Sequence, residues 1–132
     1  MKISIVIPCL NSHEVLRRQF LHWSKINHPY GEVEFIIVDD GSEPRLSLNS
    51  ARGELPKAIS IIPTNDFRPW TWALARNAGA RFAVGDYLWM MDLDYIIPQD
   101  CVDRALAFNG DKLRFKREFG ILDENGVISQ DF

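Results

Sequence analysis

Apolar residues along this chain fall into short blocks, and the spacing within each block predicts the element it forms. Residues 2–8, "KISIVIP", are β-branched and almost continuously apolar, as in a strand covered on both faces. Asn11-Ser12 then mark a turn and a helix start. Leu16, Phe20 and Trp23 recur at i, i+4, i+7, with Arg17, Arg18 and Lys25 turned elsewhere, which predicts an amphipathic helix lying on a sheet. Pro29 and Gly31 should break it. Val33 to Val38 predicts a second buried strand, closing on Asp39 and Asp40. Residues 42–56 are polar and irregular, a loop with one short helical turn; residues 58–63 predict a third strand and residues 66–70 a loop. Residues 71–85 predict a helix with Thr71 as N-cap, Gly85 as its stop, and Ala75, Ala78 and Gly79 as a small-residue face for close packing. "DYLWMMD", residues 86–92, predicts a fourth strand, residues 98–110 a further helix opened by Pro98, and residues 112–129 a hairpin around an "ENG" turn.

Strands and helices alternate in this order, which predicts an α/β fold: a mostly parallel sheet flanked by helices, with a C-terminal β-hairpin. Ligands of such sheets bind beyond the carboxyl ends of the strands. That rule gathers Asn11, Asp39 and Asp40, Asn65 and Asp66, and Asp92 and Asp94 along one edge. A length of 132 residues suits one domain, with residues 1–108 as its core and residues 109–132 as hairpin and tail. A net charge of only −3 argues against a broad nucleic-acid or polybasic membrane footprint. The apolar N-terminal run is too short to span a bilayer and lacks a small-residue cleavage site, so a cytoplasmic protein with no membrane span is expected. Cys9 and Cys101 form no disulfide framework and no CxxC, and both are expected reduced and packed.

The chemistry concentrates in "YLWMMDLDYIIP", residues 87–98, an apolar stretch interrupted by Asp92 and Asp94. A carboxylate in apolar surroundings needs compensation. In a strand, residues i and i+2 point the same way, so both carboxylates would face one site. Oxygen ligands of this kind suit Mg²⁺ or Mn²⁺, and a cation between them and a diphosphate would offset the charge. Neutralising Asp94 should then relieve repulsion and raise stability slightly. The turn after the first strand, "PCLNSHE", has no glycine, and no GxxxxGK[ST] occurs, so the two glycine-loop routes to phosphate are missing. Taken singly, each feature has a plainer explanation. The aspartate pair could form a turn, Asp94 could cap the helix at Pro98, "VDDGS" could be a simple turn, and Arg76 a surface ion-pair residue. His13, His22 and His28 show no ligand spacing.

Together, "SIVIPCLN", "VEFIIVDDGS" and "ALARNAGARFAVGDYLWMMDLDYIIP" resemble the family 2 nucleotide-sugar glycosyltransferases of GT-A fold, over roughly residues 3 to 108. The resemblance implies a donor half that binds a nucleotide-diphosphate sugar, in most cases a UDP-sugar, through Mn²⁺ or Mg²⁺, and transfers the sugar with inversion to a hydroxyl acceptor. It implies that Pro8, Leu10 and Asn11 line the base pocket and that Asp39 contacts the base. Arg76 would lie near the nucleotide, Asp92 near ribose and metal, and Asp94 on the cation. Departures are Leu10, where an aromatic residue is common, and Tyr95, where many members have another acid. In that family a longer acceptor half follows the DxD and carries the catalytic base, and no tract here looks like it. Asp123, Glu124 and Asp131 are weak candidates, so the base is left unassigned. Three alternatives stay open: a nucleotide-binding remnant that transfers nothing, a donor half completed by another chain or by homo-oligomerisation, and a nucleotidyltransferase, against which the missing glycine-rich loop argues.

Overall fold

The computed structural model describes residues 2–48, 55–66, 68 and 71–129. The element order is β1 (Ile3–Cys9), α1 (His13–Ser24), β2 (Val33–Asp39), β3 (Ile59–Pro63), α2 (Trp72–Phe82), β4 (Tyr87–Met90), α3 (Gln99–Ala107), β5 (Ile121–Leu122) and β6 (Ile128–Ser129). The first four strands form one sheet in the order β3-β2-β1-β4, and every pairing in it is parallel. The expected α/β architecture is therefore present. The hairpin β5–β6 is a separate antiparallel pair.

Side-chain alternation sorts the strands into two faces. Ile3, Ile5, Ile7 and Cys9 of β1 and Val33, Phe35 and Ile37 of β2 join Leu16, Phe20 and Trp23 of α1 and Val102 and Ala105 of α3 in one apolar cluster. Trp23 stacks on Phe35 with ring centroids 4.8 Å apart. Val6, Ile36 and Val38 face the other way and pack with Ala75 of α2. The sheet is thus sandwiched between α1 and α3 on one side and α2 on the other. The small-residue face of α2 allows that approach: a Cβ on Gly79 would lie 2.3 Å from Val6 Cγ1.

Several boundaries differ from the sequence expectation. α2 ends at Phe82, and Gly85 lies beyond it. Gly85 serves close approach, since a Cβ there would lie 2.7 Å from the Ser4 backbone nitrogen. Thr71 occupies the N-cap position, but its hydroxyl makes no cap bond. β4 ends at Met90, two residues short of Asp92. The reason lies in β1. Met91 N donates to Val6 O, so the next ladder donor toward β4 would be the residue two further along β1, which is Pro8. Proline has no N–H, and the pairing stops. Among the described residues the C-terminal ladder is short, Ile121–Leu122 against Ile128–Ser129. The "ENG" turn falls where expected, with Gly126 at φ +74. Most of the expected loop at 66–70, part of that at 42–56, and Asp131 lie outside the described residues.

Candidate functional site

Asp39 ends β2 opposite Cys9 of β1. Its carboxylate is buried and accepts two backbone amides, Ser42 N to Oδ1 at 2.8 Å and Leu46 N to Oδ2 at 3.0 Å. Asn11 holds the same loop from the β1 side. It adopts a left-handed backbone at φ 49, a conformation asparagine tolerates better than most residues. From there its Oδ1 accepts Glu43 N at 2.8 Å, and its own N donates to Ser42 Oγ at 3.0 Å. The loop so fixed forms one wall of a cavity of about 360 Å³, lined by Asp39, Arg45, Leu46, Ser47, Leu48, Ile61 and Pro63. Its size is that of a small-molecule pocket. Asp39 keeps acceptor capacity there, because an ionised carboxylate has about four lone-pair sites.

Asp40 is buried one residue on. Its Oδ1 accepts the hydroxyls of Thr71 at 2.5 Å and Thr64 at 3.3 Å. Thr71 is the residue before α2, so Asp40 anchors the start of the helix that carries Arg76.

The second half of the site lies at the end of β4, on the other side of β1. Alternation persists past the strand. Met91, Leu93 and Ile97 are buried, Asp92 is half-buried and Asp94 is exposed. Desolvation therefore does not demand a partner for these carboxylates, contrary to the expectation from the apolar stretch. The i, i+2 strand argument also falls, since the pair sits in a turn closed by Tyr95 N on Asp92 O at 3.1 Å. Nor does Asp94 cap α3: Pro98 holds the N-cap position with no side-chain cap bond. Asp92 is paired instead. Arg76 Nη2 lies 2.6 Å from its Oδ1, with the two side chains 37% and 49% exposed. A pair this open contributes at most about 1 kcal/mol. Tyr95, following Asp94, accepts Arg117 Nη1 on its hydroxyl at 2.7 Å.

Of the expected residues, Asp39 lines the cavity, Asn11 shapes its wall, and Arg76 meets Asp92. Pro8 acts on the backbone, and Leu10 is exposed at the end of β1. β2 and β4 flank β1, which puts the Asp39 end and the Asp92 end roughly 10 Å apart, two strand spacings. Among the described residues, no group of three or more His, Cys, Asp or Glu gathers as a cage. Carboxylates such as Asp92 and Asp94 are the ligand type of Mg²⁺ or Mn²⁺ when the ion keeps one or two protein carboxylates and takes its other ligands from substrate phosphates and water. The hairpin acids are placed elsewhere. The amides of Val127 and Asn125 bond Asp123 Oδ1 and hold its carboxyl below the usual range.

Gln19 escaped the sequence reading, and the hydrogen bonds of Asp40 to Thr71 and of His22 to Ile97 were not foreseen in it. Gln19 is buried in α1, with its Nε2 donating to Leu93 O at 2.8 Å and Tyr95 O at 2.6 Å. Its Oε1 has no partner among the described residues, an arrangement that costs about 1–3 kcal/mol.

Comparison with known proteins gives the class. In the crystal structure of Staphylococcus aureus TarS 1–349 a matching region has a TM-score of 0.64 at 22% identity, covering 81% of this chain and 32% of that one. The chain therefore has a glycosyltransferase fold. The Glycosyl transferase family 2 model matches residues 4–111, and the chain belongs to that family. An uncharacterized glycosyltransferase of Haemophilus influenzae is 33% identical over 110 residues, covering 80% of this chain and 41% of that protein. The poly(ribitol-phosphate) β-N-acetylglucosaminyltransferase TarS of S. aureus is 27% identical over 110 residues, covering 82% of this chain and 19% of TarS. The chain thus spans less than half the length of these relatives. No helix among the described residues is long and apolar enough to cross a membrane.

Proposed function

We propose that this chain binds the nucleotide-diphosphate sugar donor of a family 2 glycosyltransferase, with UDP as the nucleotide. The observation that carries the reading is the position of the Asp39 cavity and the Arg76–Asp92 pair at the carboxyl ends of β2 and β4, on either side of β1, with Asp94 two residues further along the chain. The base enters the cavity, where Asp39 accepts a base N–H and the Asn11-braced loop forms the wall. The diphosphate reaches the end of β4. Asp92 and Asp94 would hold Mn²⁺ or Mg²⁺ there; when bound, the cation supplies positive charge to a leaving diphosphate. Arg76 supplies a second positive charge beside it. Among the hairpin acids, Asp123 is engaged by its own turn.

The reaction of the family member is displacement at the anomeric carbon with inversion. The bond from that carbon to the diphosphate oxygen breaks, the bond to the acceptor hydroxyl oxygen forms on the opposite face, and the hydroxyl proton passes to a base. No residue of this chain is assigned as that base. A second reading is a nucleotide-binding unit that does not transfer sugar by itself.

Calorimetry with UDP in Mn²⁺ and in EDTA tests the site. Binding should be much weaker in EDTA, because carboxylates and diphosphate repel without a cation between them. Equal affinity in both buffers would refute the metal role of Asp92 and Asp94. A panel of UDP-sugars with Mn²⁺ separates the two readings: sugar release or transfer supports the enzyme, and binding without turnover supports the unit.

A further inference from the structure

One face of α1 holds the turn that carries Asp94. Gln19, only 1% exposed, donates its Nε2 to the carbonyls of Leu93 and Tyr95, the two that flank Asp94. One turn of helix further, His22 Nε2 lies 2.6 Å from Ile97 O. A carbonyl has no hydrogen to give, so this ring nitrogen carries the proton and donates. Three carbonyls within residues 93–97 are thus fixed by two side chains of one helix. α1 is itself braced from outside. Arg17, Arg18 and Lys25 donate to the carbonyls of Glu124, Leu122 and Asn125 in the hairpin, and a Cβ on Gly126 would lie 2.8 Å from His22 N.

We propose that Gln19, assisted by His22, is a positioning residue for the nucleotide site: it sets the backbone of the Asp92–Ile97 turn and so the separation of the two carboxylates. The proposal rests on the reading of Asp92 and Asp94 as the site of the cation and diphosphate. Leu93 and Ile97 pack the turn into the core, but packing of apolar side chains does not set the backbone carbonyls beside exposed Asp94, and useful ligand geometry must be kept within about 0.5 Å. Gln19 supplies the hold. Its two donated bonds argue that the residue is not there for the core alone, where an unbranched apolar side chain would fill the same space without an acceptor that has no partner among the described residues.

The test uses Gln19→Met, which keeps length and removes both donors, with Phe20→Leu as a control that weakens the same core while keeping both Gln19 hydrogen bonds. UDP affinity in Mn²⁺ is measured by calorimetry below both melting temperatures. Amide hydrogen exchange is measured at Asp94–Ile97. Gln19→Met should bind about 10- to 100-fold more weakly, the usual effect of losing an outer partner of a metal site. Its Asp94–Ile97 amides should exchange faster. Phe20→Leu should keep the parent's affinity. Gln19→Met with the parent's affinity and exchange overturns the proposal. So does an equal loss in Phe20→Leu, which would show general loosening only. If Gln19→Met does not fold, His22→Leu releases Ile97 alone and should show a smaller loss of the same kind; an unchanged affinity there is equally fatal. A parent chain that binds UDP no better in Mn²⁺ than in EDTA refutes the site reading and the proposal with it. The two failures are distinguishable, because that one shows in the parent and the other only in the variants.

Discussion

Gly79→Ala puts two effects of opposite sign against each other. Gly79 lies inside α2, where alanine is the better helix former by about 0.5–1 kcal/mol. If α2 rested loosely on the sheet, the change would stabilise the protein. The added Cβ would however sit 2.3 Å from Val6 Cγ1 and 3.0 Å from Val38 Cγ2. Carbon atoms pack at about 3.5–4.0 Å, so α2 must lift or tilt by more than about 1 Å. Both neighbours are fully buried and belong to the β1–β2 centre of the sheet, which cannot yield as a flexible side chain would. Overpacking of this kind costs about 1–3 kcal/mol. The packing term wins, leaving a net loss of about 1–2 kcal/mol. For a chain of this size that lowers Tm by roughly 3–10 °C. Urea denaturation followed by tryptophan fluorescence should show a lower midpoint at unchanged slope. Val6→Ala removes the obstructing methyls, so in the double variant the two changes should couple favourably, by about 0.5–3 kcal/mol. A rise in Tm for Gly79→Ala alone would refute the close approach of α2 to β1.

Four further outcomes are expected. Asp39→Asn keeps one acceptor oxygen for the two amides of Ser42 and Leu46, so it should cost about 1–3 kcal/mol in thermal unfolding and weaken UDP binding as the cavity wall loosens; unchanged stability would contradict the two bonds. Asp94→Asn should leave the melting temperature of the ligand-free protein unmoved, since Asp94 is exposed, and should abolish the rise given by Mn²⁺ plus UDP; a surviving rise would contradict its role. Burial lowers the His22 pKa from 6.5, so the unfolded chain binds the extra proton first, and the stability His22 contributes is present above about pH 6.5 and lost as pH falls below it; urea midpoints at pH 7.5 and 5.5 should diverge more for the parent than for His22→Gln. The Cys9 thiol is pushed up to about 12 by burial, so at pH 8 mass mapping should find Cys9 unalkylated in the native protein while half-buried Cys101 reacts first.

Much of the fold was legible because its signals are local. Apolar runs gave β1 and β2, the i, i+4, i+7 stripe gave α1, and Ala75, Ala78 and Gly79 gave the tight face of α2. What failed were ends that depend on a neighbour in space. Nothing near Met90 says that β4 must stop there. The cause is Pro8, distant in sequence, and it acts only because β1 presents its missing N–H to β4. Thr71 likewise had the right residue type for a cap, but Asp40 at the end of β2 takes its hydroxyl. A buried carboxylate is a stronger attraction than a helix end.

For the candidate site, Asp92 and Asp94 were singled out for a reason that the structure does not support. Asp92 and Asp94 drew notice as carboxylates in an apolar stretch, yet the buried positions are Met91 and Leu93, and the acids alternate toward solvent. The alternation of burial runs only as far as Asp94 and ends at exposed Tyr95, where the chain turns. Gln19 shows the converse. In α1 it lies at i+3 from Leu16 and i−4 from Trp23, inside the stripe that Leu16, Phe20 and Trp23 define. A polar amide in an apolar stripe must be hydrogen-bonded or costly. That is a sequence signal as strong as the aspartate pair. It could not name its partner, because the carbonyls of Leu93 and Tyr95 belong to a turn that every residue type forms with the same backbone atoms. Side-chain chemistry is written in the sequence, whereas the backbone groups it meets are created only by the fold. The acids proposed for this site were therefore visible from the outset, and the side chain that bonds the carbonyls on either side of Asp94 was not.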